Sequence, residues 1–172
     1  MPRQIALLRG VNVGGRKKVA MAKLRALTEE LGYRDVRTYV NSGNVVFSGR
    51  RRSAKHLESA LAEAFGFDVP VVLRTRDELA AVLEANPLRK VATDSAKYLV
   101  VFCAEKASTD LDAKDFAPET FVVRGREVYL WLPGGIGTSP LAKVLANKPL
   151  GAGSTARNWR TIEKLLELAD DV

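Results

Sequence analysis

One cysteine, one histidine and no long apolar run are what this 172-residue sequence has least of. Cys103 alone cannot form an internal disulfide, and together with His56 it cannot supply the ligand set of a zinc site. A Ser-His-Asp relay needs a histidine as base, and His56 sits among Arg50, Arg51, Arg52 and Lys55 with no accompanying motif. The longest apolar run, residues 98–104, has seven residues, against the roughly 20 of a membrane-spanning helix. Met1-Pro2-Arg3-Gln4 leads straight into a short apolar segment, unlike a secretory signal. Carboxylate acid/base chemistry stays open, although the acidic residues occur in pairs such as Glu29-Glu30 and Asp170-Asp171, the pattern of solvated helix faces. No metal, no cofactor and no membrane are therefore expected, and the chain reads as cytoplasmic.

What is present is ordinary globular composition, 47% hydrophobic and 27% charged, at a length that suits one domain or two small ones. The charge is uneven. Residues 1–76 hold 15 Lys+Arg and 6 Asp+Glu, a net +9, and residues 77–172 hold 12 and 14, a net −2, which together give the overall +7. A basic half is an argument about partners, pointing to an anionic ligand or nucleic acid.

Residues 4–9 read as a buried strand ended by Gly10. Met21, Leu24, Leu27 and Leu31 recur at helical spacing, with Gly32 as the stop. Residues 36–40 and 45–47 flank Asn41-Ser42-Gly43-Asn44, which predicts a hairpin. Ser53 caps a helix striped by Leu57, Leu61 and Phe65, and residues 69–73 return as a strand. Thr75-Arg76-Asp77-Glu78 has the spacing of a capping box and opens a helix ended by Asn86-Pro87. The second half repeats the string: a strand at 97–103, a weak helix at 108–115, a hairpin of 120–123 with 128–132, a helix from Ser139-Pro140, an extended piece at 152–155 and a last helix carrying Trp159, Ile162, Leu166 and Ala169.

The hairpins also match by residue type at an offset of 82, as in Thr38/Thr120, Val46/Val128 and Phe47/Tyr129. The fold class expected is α+β: a duplicated ferredoxin-like, or split βαβ, unit with trailing helices, residues 1–88 forming the basic first unit and 89–172 the second. The alternative is one compact domain with a single shared sheet.

Four segments carry a resemblance. Leu8-Arg9-Gly10-Val11-Asn12-Val13-Gly14-Gly15, Tyr39-Val40-Asn41-Ser42-Gly43-Asn44-Val45-Val46-Phe47, Val128-Tyr129-Leu130-Trp131-Leu132-Pro133-Gly134-Gly135-Ile136-Gly137 and Thr155-Ala156-Arg157-Asn158-Trp159-Arg160-Thr161 are similar, in order and spacing, to the motifs of the bacterial family DUF1697. Asn41 departs from the family's common glutamine and Ala20 from its common proline. The resemblance implies an α+β fold related to a duplicated ferredoxin-like arrangement, and no activity.

Residues 10–18 lie between a strand and a helix, where glycines permit close approach and helix-terminal amides favour anions. Gly10 and Gly15 fit a phosphate-binding loop, but Arg16 and Lys17 replace its Lys and Ser/Thr, and the dinucleotide pattern fails too. An anion-receptive loop remains. In a split βαβ unit this loop and the hairpin after the second strand leave the sheet at one end, which gathers Arg9, Asn12, Gly14, Gly15, Arg16, Lys17, Lys18, Asn41, Ser42 and Asn44 as candidate ligand-binding residues. The structural alternative is that Asn41 and Asn44 only serve the turn. In the second unit the same reasoning joins residues 133–139 to 154–159, with Arg157 and Asn158 as candidates, Trp159 as a stacking surface, and helix capping by Asn158 with core packing of Trp159 as the alternative. The RNA-recognition pattern is absent from residues 44–49. The function expected is a binding module for an anionic ligand, nucleic acid or a phosphorylated small molecule. The alternatives are an enzyme with a site in a cleft between the units, combining the glycine loop with Arg157 and Thr161, or an interaction scaffold.

Overall fold

The computed structural model describes every residue except Pro149, Ala152 and Val172. The extended piece expected to begin at 152 thus starts outside the described residues. The protein is a mixed α+β chain with, among the described residues, five helices and two four-stranded antiparallel sheets, and it divides into two compact units, Met1–Ala81 with Lys164–Val172, and Val82–Glu163. No helix among the described residues is long and apolar enough to cross a membrane.

In the first unit β1 (Arg3–Leu8), β2 (Arg34–Thr38), β3 (Asn44–Ser48) and β4 (Val71–Thr75) lie in the order β2-β3-β1-β4. Alternation along these strands sends Ala6, Leu8, Val45, Phe47 and Val71 to one face, where Leu24 of α1 (Met21–Glu30) and Leu57 and Leu61 of α2 (Ala54–Phe65) complete a core. After α1 the expected stop operates through a Schellman pair: the Gly32 N–H donates to the Glu29 carbonyl at 3.0 Å and the Tyr33 N–H to that of Thr28 at 3.4 Å. The capping box at the start of α3 (Arg76–Ala85) is also formed, Thr75 Oγ1 accepting from the Glu78 N–H at 3.1 Å and Glu78 Oε2 from the Thr75 N–H at 3.4 Å.

The second unit carries β5 (Tyr98–Phe102), β6 (Thr120–Arg124), β7 (Glu127–Trp131) and β8 (Thr155–Asn158) in the order β6-β7-β5-β8. One face, with Leu99, Val101, Val128 and Leu130, packs on Leu141 of α4 (Pro140–Asn147). Ser139 caps α4 through its hydroxyl, which accepts from the Ala142 N–H at 2.9 Å, and the buried Glu119 carboxylate accepts from the Leu141 N–H at 3.1 Å.

Two expectations are corrected. The helix expected at 108–115 is absent; only a 3-10 turn at Ala113–Phe116 forms. Local side chains compete with the helical ladder here: Thr109 Oγ1 accepts from the Leu111 N–H at 3.2 Å and Asp112 Oδ1 from the Lys114 N–H at 2.9 Å. The offset of 82 also fails to keep like faces of β3 and β7 together. Val45 and Phe47 face the first core while Val128 and Leu130 face the second, so pairing Val46 with Val128 sets opposite faces against each other, and only an odd offset, such as 83, keeps like faces together.

The other face of the second sheet holds Tyr98 and Tyr129, both 2% exposed, beside Trp159, which opens α5 (Trp159–Asp170) and stacks on the Tyr98 ring at 4.5 Å and 10°. Tyr98 donates to Asn86 Oδ1 and Tyr129 to the Val82 carbonyl, each at 2.9 Å. Burial pushes the Tyr98 phenol up to about 12 and raises that of Tyr129 as well. Unfolded tyrosines ionise near ~10, so the stability these two contribute is complete below that pH and is lost as pH rises from there through 12. Urea midpoints across this range are expected to fall, and to fall less steeply in Tyr98→Phe; an equal slope in that variant contradicts the assignment.

Candidate functional site

Between β1 and α1 the chain is pinned at two points. Val11 and Val19, 2% and 1% exposed, belong to the first core, and residues 13–18 between them are exposed. Gly14 and Gly15, with φ of 59° and 73°, form the tip of a tight reversal in which the Arg16 N–H donates to the Val13 carbonyl at 3.0 Å and the Asn12 N–H to that of Lys17 at 3.1 Å. Two consecutive positive φ values are what a type I′ turn demands. The glycines thus build a small hairpin, and α1 starts six residues later at Met21.

Asn12 organises this loop. With φ at 56°, its Nδ2 donates to the carbonyls of Val19 at 2.9 Å and Asn41 at 2.8 Å, while Oδ1 accepts from the Val19 N–H at 2.9 Å. Both Nδ2 hydrogens are committed, so Asn12 holds the two segments in place rather than offering a donor to solution. The neighbouring turn is tied to the sheet by the Leu8 N–H, which donates to the Gly43 carbonyl at 2.8 Å, and by Asn44 Nδ2, which donates to the Tyr39 carbonyl at 2.7 Å and Ser42 Oγ at 3.0 Å. Asn44 is fully buried and serves the turn. Val40 is a β-branched residue at φ 50°, 47% exposed, a conformation costing about 1–3 kcal/mol and met mainly at functional sites.

The structure thus brings the two predicted segments together at one edge of the first sheet. Arg9, Gly14, Gly15, Arg16, Lys17, Lys18, Asn41 and Ser42 are all exposed there. Lys17 Nζ donates to the Asp68 carbonyl at 3.3 Å. Asn12, Gly15, Lys18, Val19, Ala20 and Asn41 line an open depression of about 380 Å³.

The profile of the family described as "Protein of unknown function (DUF1697)" matches residues 1–129. The chain belongs to the DUF1697 family. A solved structure, that of the conserved bacterial protein SP0830 from Streptococcus pneumoniae, is similar, with 26% identity over 98% of each chain and a TM-score of 0.75. No curated protein matches. In this DUF1697 chain the first two of the four motif segments are the ones joined by the Asn12–Asn41 bond, whereas the fourth lies beyond the matched residues.

That fourth segment serves the second unit's own packing. Arg157 is 6% exposed and its Nη1 donates to Thr155 Oγ1 and the Ala156 carbonyl, each at 2.8 Å; burial lowers its guanidinium to about 10. Asn158 Oδ1 accepts from the Thr161 N–H at 2.9 Å, capping α5. With Trp159 stacked on Tyr98, this arrangement matches the capping and packing alternative for 158 and 159. Sequence reasoning missed Val11 and Val19 as anchors and the strain at Val40. The valines carry a signal, as the only strongly apolar β-branched residues besides Val13 in a glycine-rich and basic stretch; Val40 carries none.

Proposed function

We propose that the edge formed by residues 9–18 and 41–42 binds a phosphorylated small molecule, with Arg9, Arg16, Lys17 and Lys18 supplying charge and the Gly14-Gly15 hairpin and Asn41-Ser42 supplying polar contacts, in a cytoplasmic protein. The observation that carries this reading is the Asn12 clamp. It fixes two exposed segments against each other around a depression whose size falls in the range of small-molecule sites, about 300–1,000 Å³. The duplicated ferredoxin-like plan belongs to the same proposal, supported by the shared strand orders β2-β3-β1-β4 and β6-β7-β5-β8.

Thermal unfolding with sugar phosphates and nucleoside monophosphates tests the function. A ligand at about 100 times its Kd stabilises by about 2.7 kcal/mol, a rise of about 5–10 °C in Tm for a chain of this size. The rise is expected in the native chain and is expected to be smaller in Arg16→Ala/Lys18→Ala. No shift with any of these compounds, or the same shift in the double variant, overturns the reading. Retention of mixed DNA or RNA that falls steeply with salt assigns the edge to nucleic acid instead.

A further inference from the structure

At the opposite end of the first sheet, Arg3 of β1 and Arg34 of β2 both pair with Ser48 of β3. Residues opposite one another in a sheet project to the same face. Guanidinium, hydroxyl and guanidinium therefore stand in one row, and with Met1 and Asp35 they line a depression of about 240 Å³. Ser48 is 5% exposed, and its Oγ is the one buried side-chain polar atom among the described residues that has no hydrogen-bond partner. An unmade bond of this kind costs about 1–3 kcal/mol. Arg34 is exposed and has no side-chain hydrogen bond or ion pair among the described residues. Arg3 donates through Nη1 to the Ala169 carbonyl at 2.8 Å, and its charge also acts on Asp170. The rest of its planar fork is uncommitted by that bond. Asp35 is the one acid in the lining, against two arginines.

We propose that this hollow is a second oxyanion site, separate from the edge at residues 9–18, which takes the phosphoryl group of a small phosphate monoester. The arginines would engage its oxygens in the charge-assisted, fork-like manner typical of guanidinium, and the Ser48 hydroxyl would donate the bond it now lacks.

The test is a titration of the full chain with inorganic phosphate, followed residue by residue through amide chemical shifts. The amides of Arg34, Asp35 and Ser48 are expected to move saturably. Arg34→Gln and Ser48→Ala are each expected to raise the dissociation constant read at those amides by about tenfold, the loss of one charge-assisted or buried hydrogen bond, while leaving any movement at Gly15 and Lys18 unchanged. Arg34 is exposed and Ser48→Ala removes only an unpartnered hydroxyl, so both variants fold. No movement at these three amides, or an unchanged constant in either variant, overturns the proposal; a water held by Ser48 in place of an anion gives the first of these results.

Discussion

Gly43→Ala is expected to lower the unfolding free energy by about 3 kcal/mol. The Cβ it adds would lie 2.7 Å from Leu8 Cβ and 2.8 Å from Val11 Cγ2, and both neighbours are buried in the first core. Neither can yield freely. Leu8 sits in β1, with its N–H bonded to the Gly43 carbonyl itself, and Val11 pins the loop. Overpacking of this kind costs about 1–3 kcal/mol. Holding a non-glycine residue at a φ of 88° adds about 1 kcal/mol. Gly14→Ala separates the two causes, because φ there is 59° but nothing lies within 4 Å of the added carbon. It is expected to cost only the conformational share, about 1 kcal/mol. Urea unfolding followed by circular dichroism measures both, and equal losses would contradict the close approach of the turn to Leu8 and Val11.

Asn12→Ala removes three hydrogen bonds at once and leaves the Val19 N–H and the Val19 and Asn41 carbonyls without these partners. With net values near 1 kcal/mol per bond and about 1 kcal/mol for alanine in the left-handed region, a loss of about 3–4 kcal/mol is expected. The affinity of the edge for a phosphorylated ligand is expected to fall by at least about tenfold, since the binding groups must then be ordered by the ligand itself. Asn12→Gly tolerates the φ of 56° and makes none of the side-chain bonds. It should be more stable than the alanine variant by about 1 kcal/mol and bind as poorly. If it binds as well as the native chain, the clamp is not what organises the site.

Several devices in the fold were readable as residue patterns because their causes are local. The capping box at Thr75 and Glu78, the Ser139-Pro140 start of α4 and the stop at Gly32 all depend on residues within a few positions of one another, and each forms with the expected partners. The segment at 108–115 misled for an equally local reason, as its Ser, Thr and Asp residues bond to nearby amides instead of extending a helix. Register was less accessible. Residue types alone align β3 with β7 at 82, and only the facing of Val45, Phe47, Val128 and Leu130 shows that an even offset sets opposite faces together.

At the candidate site, topology correctly brought the glycine loop to the Asn41-Ser42 turn. The roles within it came from three-dimensional contacts. Asn12 and Asn44 looked like ligand donors because asparagine is polar, yet both are spent on carbonyls and a hydroxyl of the protein itself. Residues 10–18 read in the sequence as an anion-receptive loop at a helix start, and Gly14 and Gly15 prove to be the tip of a hairpin set apart from α1. What remains is the charge of Arg9, Arg16, Lys17 and Lys18 and the exposed side chain of Asn41.

Amide chemical shifts recorded while ribose 5-phosphate or adenosine monophosphate is added to the full chain test that edge most directly. The account predicts saturable movements at residues 10–19 and 40–44, abolished at those residues in Arg16→Ala/Lys18→Ala. Saturable movements that leave Gly15, Lys18 and Asn41 in place, or none with either compound, would contradict it.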